Sequence, residues 1–229
     1  MYKGMLMAAL IACLVLSFLR RKQAPLPLFS SLVVSILLIV YGVLGARALG
    51  IIESGDISAS TYSFFGALYM APLGLFVTAK ILKISPVECI NFYGLYVPII
   101  LAILRIGCFI EGCCGAGEIT VGSKTVTPPI QLIESGCDLI IFALLFIQSD
   151  ILYKKNKPER PALIYAQFAL LYSFIRLVME NYRLTQKDIA GMSEGQWLSI
   201  LTFVVSGVIL YIYKNKTNKK CLDITELPQ

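Results

Sequence analysis

The sequence predicts an all-α, polytopic membrane protein with seven transmembrane helices, and three observations support this. First, 57% of its 229 residues are hydrophobic. Second, only 15% are charged, whereas soluble domains carry about 25%. Third, uncharged apolar segments recur along the chain, and with flanking residues they approach the roughly 20 residues that cross a bilayer. Helices are expected rather than open strands because a helix satisfies its own backbone hydrogen bonds in lipid.

The seven predicted spans have short connections and contain residues 4–19, 23–46, 57–79, 89–104, 139–149, 161–175 and 195–213. The fifth span is short unless it extends back through Ile130, which brings Glu134 and Asp138 into the helix. Arg20, Arg21 and Lys22 follow the first apolar run, whereas a cleavable signal peptide carries its charges before the run. This run is therefore predicted to stay as the first helix. Residues 1–213 are predicted to form one transmembrane domain, and residues 214–229 a short cytoplasmic tail.

The distribution of lysine and arginine predicts the orientation, because cytoplasmic loops are enriched in these residues. One side of the membrane receives most of the 20 lysines and arginines, in segments 20–22, 80–83, 154–160 and 214–220. This side is predicted to be cytoplasmic, with the N-terminus outside and the C-terminus inside. The net charge of +6 is attributed to these segments rather than to a nucleic-acid partner.

With this orientation, the polar residues that interrupt the apolar segments all lie at the depth of the outer leaflet. Residues spaced by three or four positions share one face of a helix, so Glu134 and Asp138 are expected to face the same way. The same spacing predicts one continuous polar stripe on a single helix, formed by Tyr172, Arg176, Glu180 and Arg183. The set comprises Arg47, Arg105, Gln131, Glu134, Asp138, Tyr172, Arg176, Glu180 and Arg183.

Charges inside a membrane segment cost roughly 2.5–3.5 kcal/mol each at the bilayer centre, so they are usually paired and functional. Arginine offers a planar, permanently charged fork that suits phosphate. Arg105 and Arg176 are therefore predicted to clamp a phospholipid phosphate, with Glu134 and Glu180 orienting the arginines or handling protons. A purely structural Arg–Glu pair is the alternative, and Arg183 could instead reach the headgroups from the helix end.

Glycines and cysteines crowd the segment after the fourth span. Gly107 and Gly112 permit backbone conformations and close approaches that a headgroup-binding loop needs. Three interpretations of Cys108, Cys113 and Cys114 remain open. They pack helices as small polarisable residues, they form a disulfide with one another or with Cys137, or they form a metal or reactive-thiol site. For the last interpretation, the three cysteines lack CxxC spacing and a histidine partner, so no metal site is predicted.

Six blocks of sequence, in order, resemble the prolipoprotein diacylglyceryl transferase family. RIGCFIEG (105–112) is similar to that family's Arg-Ile-Gly-Asn-Phe-Ile-Asn-Gly signature, and PIQLIE (129–134) to its Pro-Ser-Gln-Leu-Tyr-Glu. The others are GARALG (45–50), SFFGAL (63–68), YSFIRLVMENYR (172–183) and SEGQWLS (193–199).

The resemblance implies transfer of a diacylglyceryl group from phosphatidylglycerol, or a related anionic phospholipid, to the thiol of a prolipoprotein lipobox segment. It implies a multi-pass protein of the bacterial plasma membrane, with its site facing the outer leaflet and no cofactor. Arg105, Arg176, Glu134 and Glu111 are the predicted catalytic residues. The predicted substrate-binding residues are Arg47, Gly107, Cys108, Gly112, Gln131, Tyr172, Glu180 and Arg183.

The chain departs from the family pattern at several positions. The family's histidine falls on Phe65, its asparagines fall on Cys108 and Glu111, and the chain contains no histidine. Glu111 or Glu134 is therefore predicted to take the thiol proton. Two alternatives remain open: the same scaffold with a different acceptor, or a non-enzymatic protein that binds lipid or senses thiols.

Overall fold

The computed structural model describes residues 2–58, 61–113, 115–117, 119–121, 124–154, 163–183 and 191–225. In this part of the chain the α-helices are α1 (Tyr2–Leu19), α2 (Leu28–Ser54), α3 (Phe64–Ile81), α4 (Pro86–Gly94), α5 (Val97–Glu111), α6 (Ile130–Lys154), α7 (Ile164–Met179) and α8 (Glu194–Thr225). A 3-10 helix, Glu180–Tyr182, follows α7. Two three-residue antiparallel strands, β1 (Ile119–Val121) and β2 (Lys124–Val126), lie between α5 and α6. The predicted helical class is confirmed, with this hairpin as its one addition in the described residues.

Five helical spans are long and apolar enough to cross a membrane: Leu28–Ser54, Phe64–Ile81, Pro86–Glu111, Ile130–Lys154 and Glu194–Asn215. The apolar helix Gly4–Leu19 is shorter, and α7 has 16 residues. Many large hydrophobic side chains are exposed along these helices, as a lipid-facing surface requires. The chain is therefore a multi-pass membrane protein.

The predicted fourth span lies within Pro86–Glu111, and its helix breaks between Gly94 and Val97. Pro98 lies at the start of α5, where its ring lacks an N–H and clashes with the carbonyl four residues earlier. The ring of Tyr165 occupies the space beside Gly94, where an added Cβ would lie 2.6 Å from Cδ2. The helix that follows the break carries Arg105.

Helix α8 continues beyond the predicted end of the transmembrane domain at residue 213 and reaches Thr225. The start of the predicted cytoplasmic tail is thus helical. Of the predicted cytoplasmic cations, those at 155–160 lie outside the described residues.

Helices α2 and α3 cross in close contact through two glycines. A Cβ on Gly45 would collide with the carbonyl of Gly66, and a Cβ on Gly66 would collide with the carbonyl of Gly45. Small residues let helix backbones approach in this way inside a membrane. Beyond the crossing, Gly50 packs against the backbone of Thr61, which brings the start of α3 beside the end of α2.

At the opposite end of the bundle, Arg20 is buried with 4% of its surface exposed. Its Nε donates to Gln23 Oε1 at 3.0 Å and its Nη2 to Ser149 Oγ at 2.6 Å. Its guanidinium carbon lies 5.4 Å from the Phe92 ring centroid and 5.1 Å from that of Phe146. Arg20, interpreted from the sequence as a charge at the membrane surface, therefore ties the end of α1 to the end of α6.

Candidate active site

A single carboxylate, that of Glu134, gathers three arginines. Glu134 lies in the second turn of α6 and is 4% exposed. Its Oε1 accepts hydrogen bonds from Arg176 Nη1 at 3.0 Å and Arg183 Nη2 at 2.9 Å. Its Oε2 accepts one from Arg183 Nη2 at 2.6 Å and lies 3.1 Å from Arg105 Nε. Residues of α5, α6, α7 and the segment after α7 thus meet at one point.

Glu180 provides a second anchor for two of these arginines. Its Oε2 lies 2.9 Å from Arg176 Nη2 and 3.8 Å from Arg183 Nε, and its Oε1 accepts a hydrogen bond from Ser193 Oγ at 3.1 Å. An added Cβ on Gly195 would lie 2.9 Å from Glu180 Oε1, so the carboxylate packs against the start of α8. The partial positive charge at a helix N-terminus favours a carboxylate there.

We call Arg105, Arg176 and Arg183 the arginine cluster. Two glutamates face these three guanidinium groups, which leaves one positive charge unbalanced among the five groups. Arg105 is 93% buried (7% exposed). Its contact with Glu134 uses Nε, and within the described part of the chain its terminal nitrogens, Nη1 and Nη2, make no hydrogen bond. The arginine cluster can therefore accept an additional anion through Arg105.

The backbone after α7 differs from the predicted continuous helical stripe. Helix α7 ends at Met179, and Arg183 has an extended backbone with φ −85° and ψ 149°. Arg183 forms a β-bridge with Ala116, and Gly117 N donates to Tyr182 O at 3.0 Å. The prediction that helical spacing places Arg183 was therefore wrong, because the turn after α7 directs its side chain to Glu134.

Tyr172 and Asp138 border the arginine cluster. Tyr172 lies one helical turn before Arg176 and is 3% exposed, and Asp138 lies one turn after Glu134 and is 1% exposed. Neither Tyr172 Oη nor Asp138 Oδ2 has a hydrogen-bond partner in the described structure. Both groups are within electrostatic range of Arg105 and Arg176.

Aromatic residues from the start of α3 cover one side of this region. The Phe64 ring centroid lies 4.8 Å from that of Tyr172, in an edge-on arrangement. Phe65, on which the resemblance places the family's histidine, is 3% exposed and lies 6.1 Å from the same ring. At this position the chain has an aromatic contact instead of an ionisable group.

Gln131 and Gly112 shape the segment that follows α5. Gly112 ends the helix in the left-handed conformation with φ +68°, which glycine adopts without strain. Gln131 Nε2 donates to Cys113 O at 2.8 Å, so the start of α6 holds this turn in place. Cys108 is half-buried, Cys113 is exposed, and Cys137 is a free thiol. Cys114 lies outside the described residues.

The remaining predicted site residues are Arg47, Gly107 and Glu111. Arg47 donates to the carbonyls of Ile57 at 2.6 Å and Thr61 at 3.2 Å. Gly107 packs against α1, where an added Cβ would lie 2.8 Å from Met5 Cγ. Glu111 is the exposed last residue of α5.

The sequence interpretation missed Glu53, Ser63 and Ser193, which the structure places around the site. Ser63 Oγ donates to Glu53 Oε1 at 2.8 Å. Glu53 is within electrostatic range of Arg176. The sequence offered one signal that Glu53 belongs to the site: it is a carboxylate at the end of an apolar run, six residues after Arg47.

Comparison with known proteins identifies the scaffold. A model of the prolipoprotein diacylglyceryl transferase family matches residues 1–213. The chain is 31% identical over 115 residues to a phosphatidylglycerol–prolipoprotein diacylglyceryl transferase of Bdellovibrio bacteriovorus, covering 48% of this chain and 31% of that protein.

Two longer matches cover most of the chain. A Clostridium perfringens protein of the same name, numbered 2, is 25% identical over 205 residues, covering 81% of this chain and 80% of that protein. A third, from Dehalococcoides mccartyi, is 24% identical over 240 residues, covering 95% of this chain and 90% of that protein. The family match extends over all three arginines, and the chain belongs to the prolipoprotein diacylglyceryl transferase family.

Proposed function

We propose that this protein transfers a diacylglyceryl group from phosphatidylglycerol to the thiol of a prolipoprotein lipobox cysteine, releasing glycerol phosphate. Relatives that match most of the chain carry the name phosphatidylglycerol–prolipoprotein diacylglyceryl transferase, and their names supply both substrate classes. The observation that carries the proposal is the arginine cluster, in which two glutamates face three guanidinium groups and, within the described residues, the terminal nitrogens of Arg105 make no hydrogen bond.

In this proposal Arg105 binds the lipid phosphate through its terminal nitrogens, and Arg176 adds a second cation beside it. As the carbon–oxygen bond breaks, negative charge grows on the departing phosphate. Fixed cations stabilise such charge more effectively than water does, because they need no reorganisation. Arg105 would therefore act mainly on the transition state.

Glu134 and Glu180 act as positioning residues, together with Arg183. The oxygens of Glu134 contact three guanidinium groups, which fixes Arg105 relative to Arg176. Tyr172 borders the same region and is proposed to contact the headgroup. Gln131, Gly112 and Cys108 are proposed to shape the edge of the lipid site.

The proposed setting is the bacterial plasma membrane, with seven spans, the N-terminus outside and the site at the outer leaflet. The charge distribution of the loops supports this orientation. The arginine cluster lies at the ends of α5 and α7 and near the start of α6, where this orientation puts the outer leaflet.

The direct test is a mass assay of the purified protein in detergent with phosphatidylglycerol and a lipobox peptide. We expect a diacylglyceryl mass gain on the peptide cysteine, lost in Arg105→Ala and Arg176→Ala. Arg21→Ala is the matched control, since Arg21 is exposed at the opposite end of the bundle. No product from the unmodified protein would reject the transferase, and Arg105-dependent lipid binding would then point to a different acceptor.

A further inference from the structure

The proposed reaction needs a group that removes the proton of the attacking thiol. A free thiol has a pKa of about 8.5, and the thiolate is the nucleophile. The chain contains no histidine, so a carboxylate is the natural acceptor at neutral pH. Several carboxylates lie at the arginine-cluster end of the bundle, and the structure distinguishes between them.

The two glutamates that hold the arginines are poorly placed for this task. A carboxylate has about four lone-pair positions, and the oxygens of Glu134 already make four close contacts with guanidinium nitrogens. Glu180 is 2% exposed and is engaged by Arg176, Arg183 and Ser193. A substrate thiol could reach either only by breaking the arginine cluster apart.

Glu53 differs from both in exposure and in the way it is held. It is an exposed residue near the end of α2, so a substrate can reach it. Its Oε1 accepts a hydrogen bond from Ser63 Oγ at 2.8 Å, and Ser63 is 9% exposed. This contact orients the carboxylate and leaves its other oxygen, Oε2, to accept a proton.

The packing of α3 brings Glu53 to the same end of the bundle as the arginine cluster. Ser63 directly precedes Phe64, whose ring packs edge-on against Tyr172 at 4.8 Å, and Tyr172 is one turn before Arg176. Glu53 is consequently within electrostatic range of Arg176 and also of Glu194, at the start of α8. The chain thus brings an accessible carboxylate and a phosphate-binding arginine to one region from different helices.

We infer that Glu53 is the proton acceptor for the attacking thiol and that Ser63 positions it, an inference that rests on the proposed function. The thiol S–H bond breaks and the proton moves to Glu53. The thiolate forms a C–S bond with the glyceryl carbon that carries the phosphate, and the C–O bond to that phosphate breaks. The electron pair stays on the departing glycerol phosphate beside Arg105, and Glu53 returns its proton to this phosphate or to water.

The test is the pH dependence of transfer to a lipobox peptide by Glu53→Gln in phosphatidylglycerol micelles. General bases contribute typically 10²–10⁴-fold, so we expect the rate at pH 7 to fall by about that factor. The defect should shrink as the pH rises beyond the thiol pKa of about 8.5, because the thiolate then forms without a base. Added formate should partly restore Glu53→Gly at pH 7, whereas a merely structural role would not respond to formate.

Matched variants separate the possible outcomes. Ser63→Ala should lower the rate less than Glu53→Gln does, and Glu88→Gln, exposed at the opposite end, should leave it unchanged. Phosphatidylglycerol binding should be the same in Glu53→Gln and the unmodified protein, which shows that the variant folds.

A Glu53→Gln rate equal to that of the unmodified protein at pH 7 would overturn the inference, as would a defect of constant size across the pH range. If Glu111→Gln abolished transfer while Glu53→Gln kept the rate of the unmodified protein, Glu111 would be the proton acceptor instead. Absence of transfer by the unmodified protein would instead reject the proposed function.

Discussion

Glu134 Oε2 and Arg183 Nη2 lie 2.6 Å apart, although the two residues are 49 positions apart in the chain. The same carboxylate contacts Arg105 and Arg176, so one acid is shared by three cations from separate segments. An uncompensated charge in such surroundings is costly, and the shared acid allows the cations to lie side by side. The arrangement leads to predictions about the acid, the arginines and the helices that carry them.

Replacing Glu134 with Gln should weaken the fold and abolish transfer. The variant leaves three buried guanidinium groups with one carboxylate, and removing one partner of a buried ion pair costs about 3–5 kcal/mol. Equilibrium unfolding in mixed micelles measures the stability, with Glu88→Gln as the control of equal charge change. A Glu134→Gln protein as stable as Glu88→Gln would show that the arginines do not depend on this acid.

Replacing Arg105 with Lys should impair transfer more than it impairs stability. The lysine keeps the charge but loses the two terminal nitrogens that can grip a phosphate as a fork. We expect kcat to fall by about 10²–10³-fold, as for loss of one transition-state donor. Rates and unfolding curves of Arg105→Lys and Arg21→Lys check this. If the fall in kcat of Arg105→Lys, converted to a free energy, were no larger than its loss of unfolding free energy, Arg105 would form a structural ion pair only.

Adding a methyl group at Gly45 should separate α2 from α3. The new Cβ would collide with the carbonyl of Gly66, and overpacking of this kind costs typically 1–3 kcal/mol. Gly42→Ala is the matched control on the same helix, since its Cβ would meet Ala67 Cβ at an ordinary 3.8 Å. Unfolding midpoints should therefore drop for Gly45→Ala and not for Gly42→Ala. Equal unfolding midpoints in the two variants would mean that α2 and α3 accommodate the added methyl group without loss of stability.

Replacing Arg20 with Ala should loosen the end of the bundle opposite the arginine cluster. The variant removes hydrogen bonds to Gln23 and Ser149 and the contacts with the rings of Phe92 and Phe146. Each cation–π contact is worth about 0.5–2 kcal/mol, depending on desolvation. Proteolysis or hydrogen exchange near the ends of α1 and α6 should increase in Arg20→Ala but not in Arg21→Ala. Unchanged protection would show that Arg20 does not join these helices.

The predictions made from sequence succeeded where a single segment carries the information. Apolar composition identifies a multi-pass helical protein, since residues that face lipid must be apolar along the whole helix. The ordered motif blocks identify the family. The spacing of Tyr172 and Arg176 places both on one face of α7, because a helix repeats every 3.6 residues.

The sequence alone did not reveal features that depend on contacts between distant segments. Arg183 reaches Glu134 through an extended backbone and a bridge to Ala116, which no helical spacing describes. Arg20 and Arg47 look alike in sequence as charges at the ends of apolar runs. Tertiary packing buries Arg20 between aromatic rings and leaves Arg47 binding the carbonyls of the α2–α3 connection.

By itself, then, the sequence determined the helical membrane class, the family and the identity of the three arginines. Only the tertiary structure decided that they share Glu134, that Arg105 keeps its terminal nitrogens unbonded within the described residues, and that Ser63 holds Glu53 at the same end of the bundle. The physical reason is that hydrophobicity acts on each segment locally. The pairing of buried charges, in contrast, depends on which helices pack together and at what depth each of them ends.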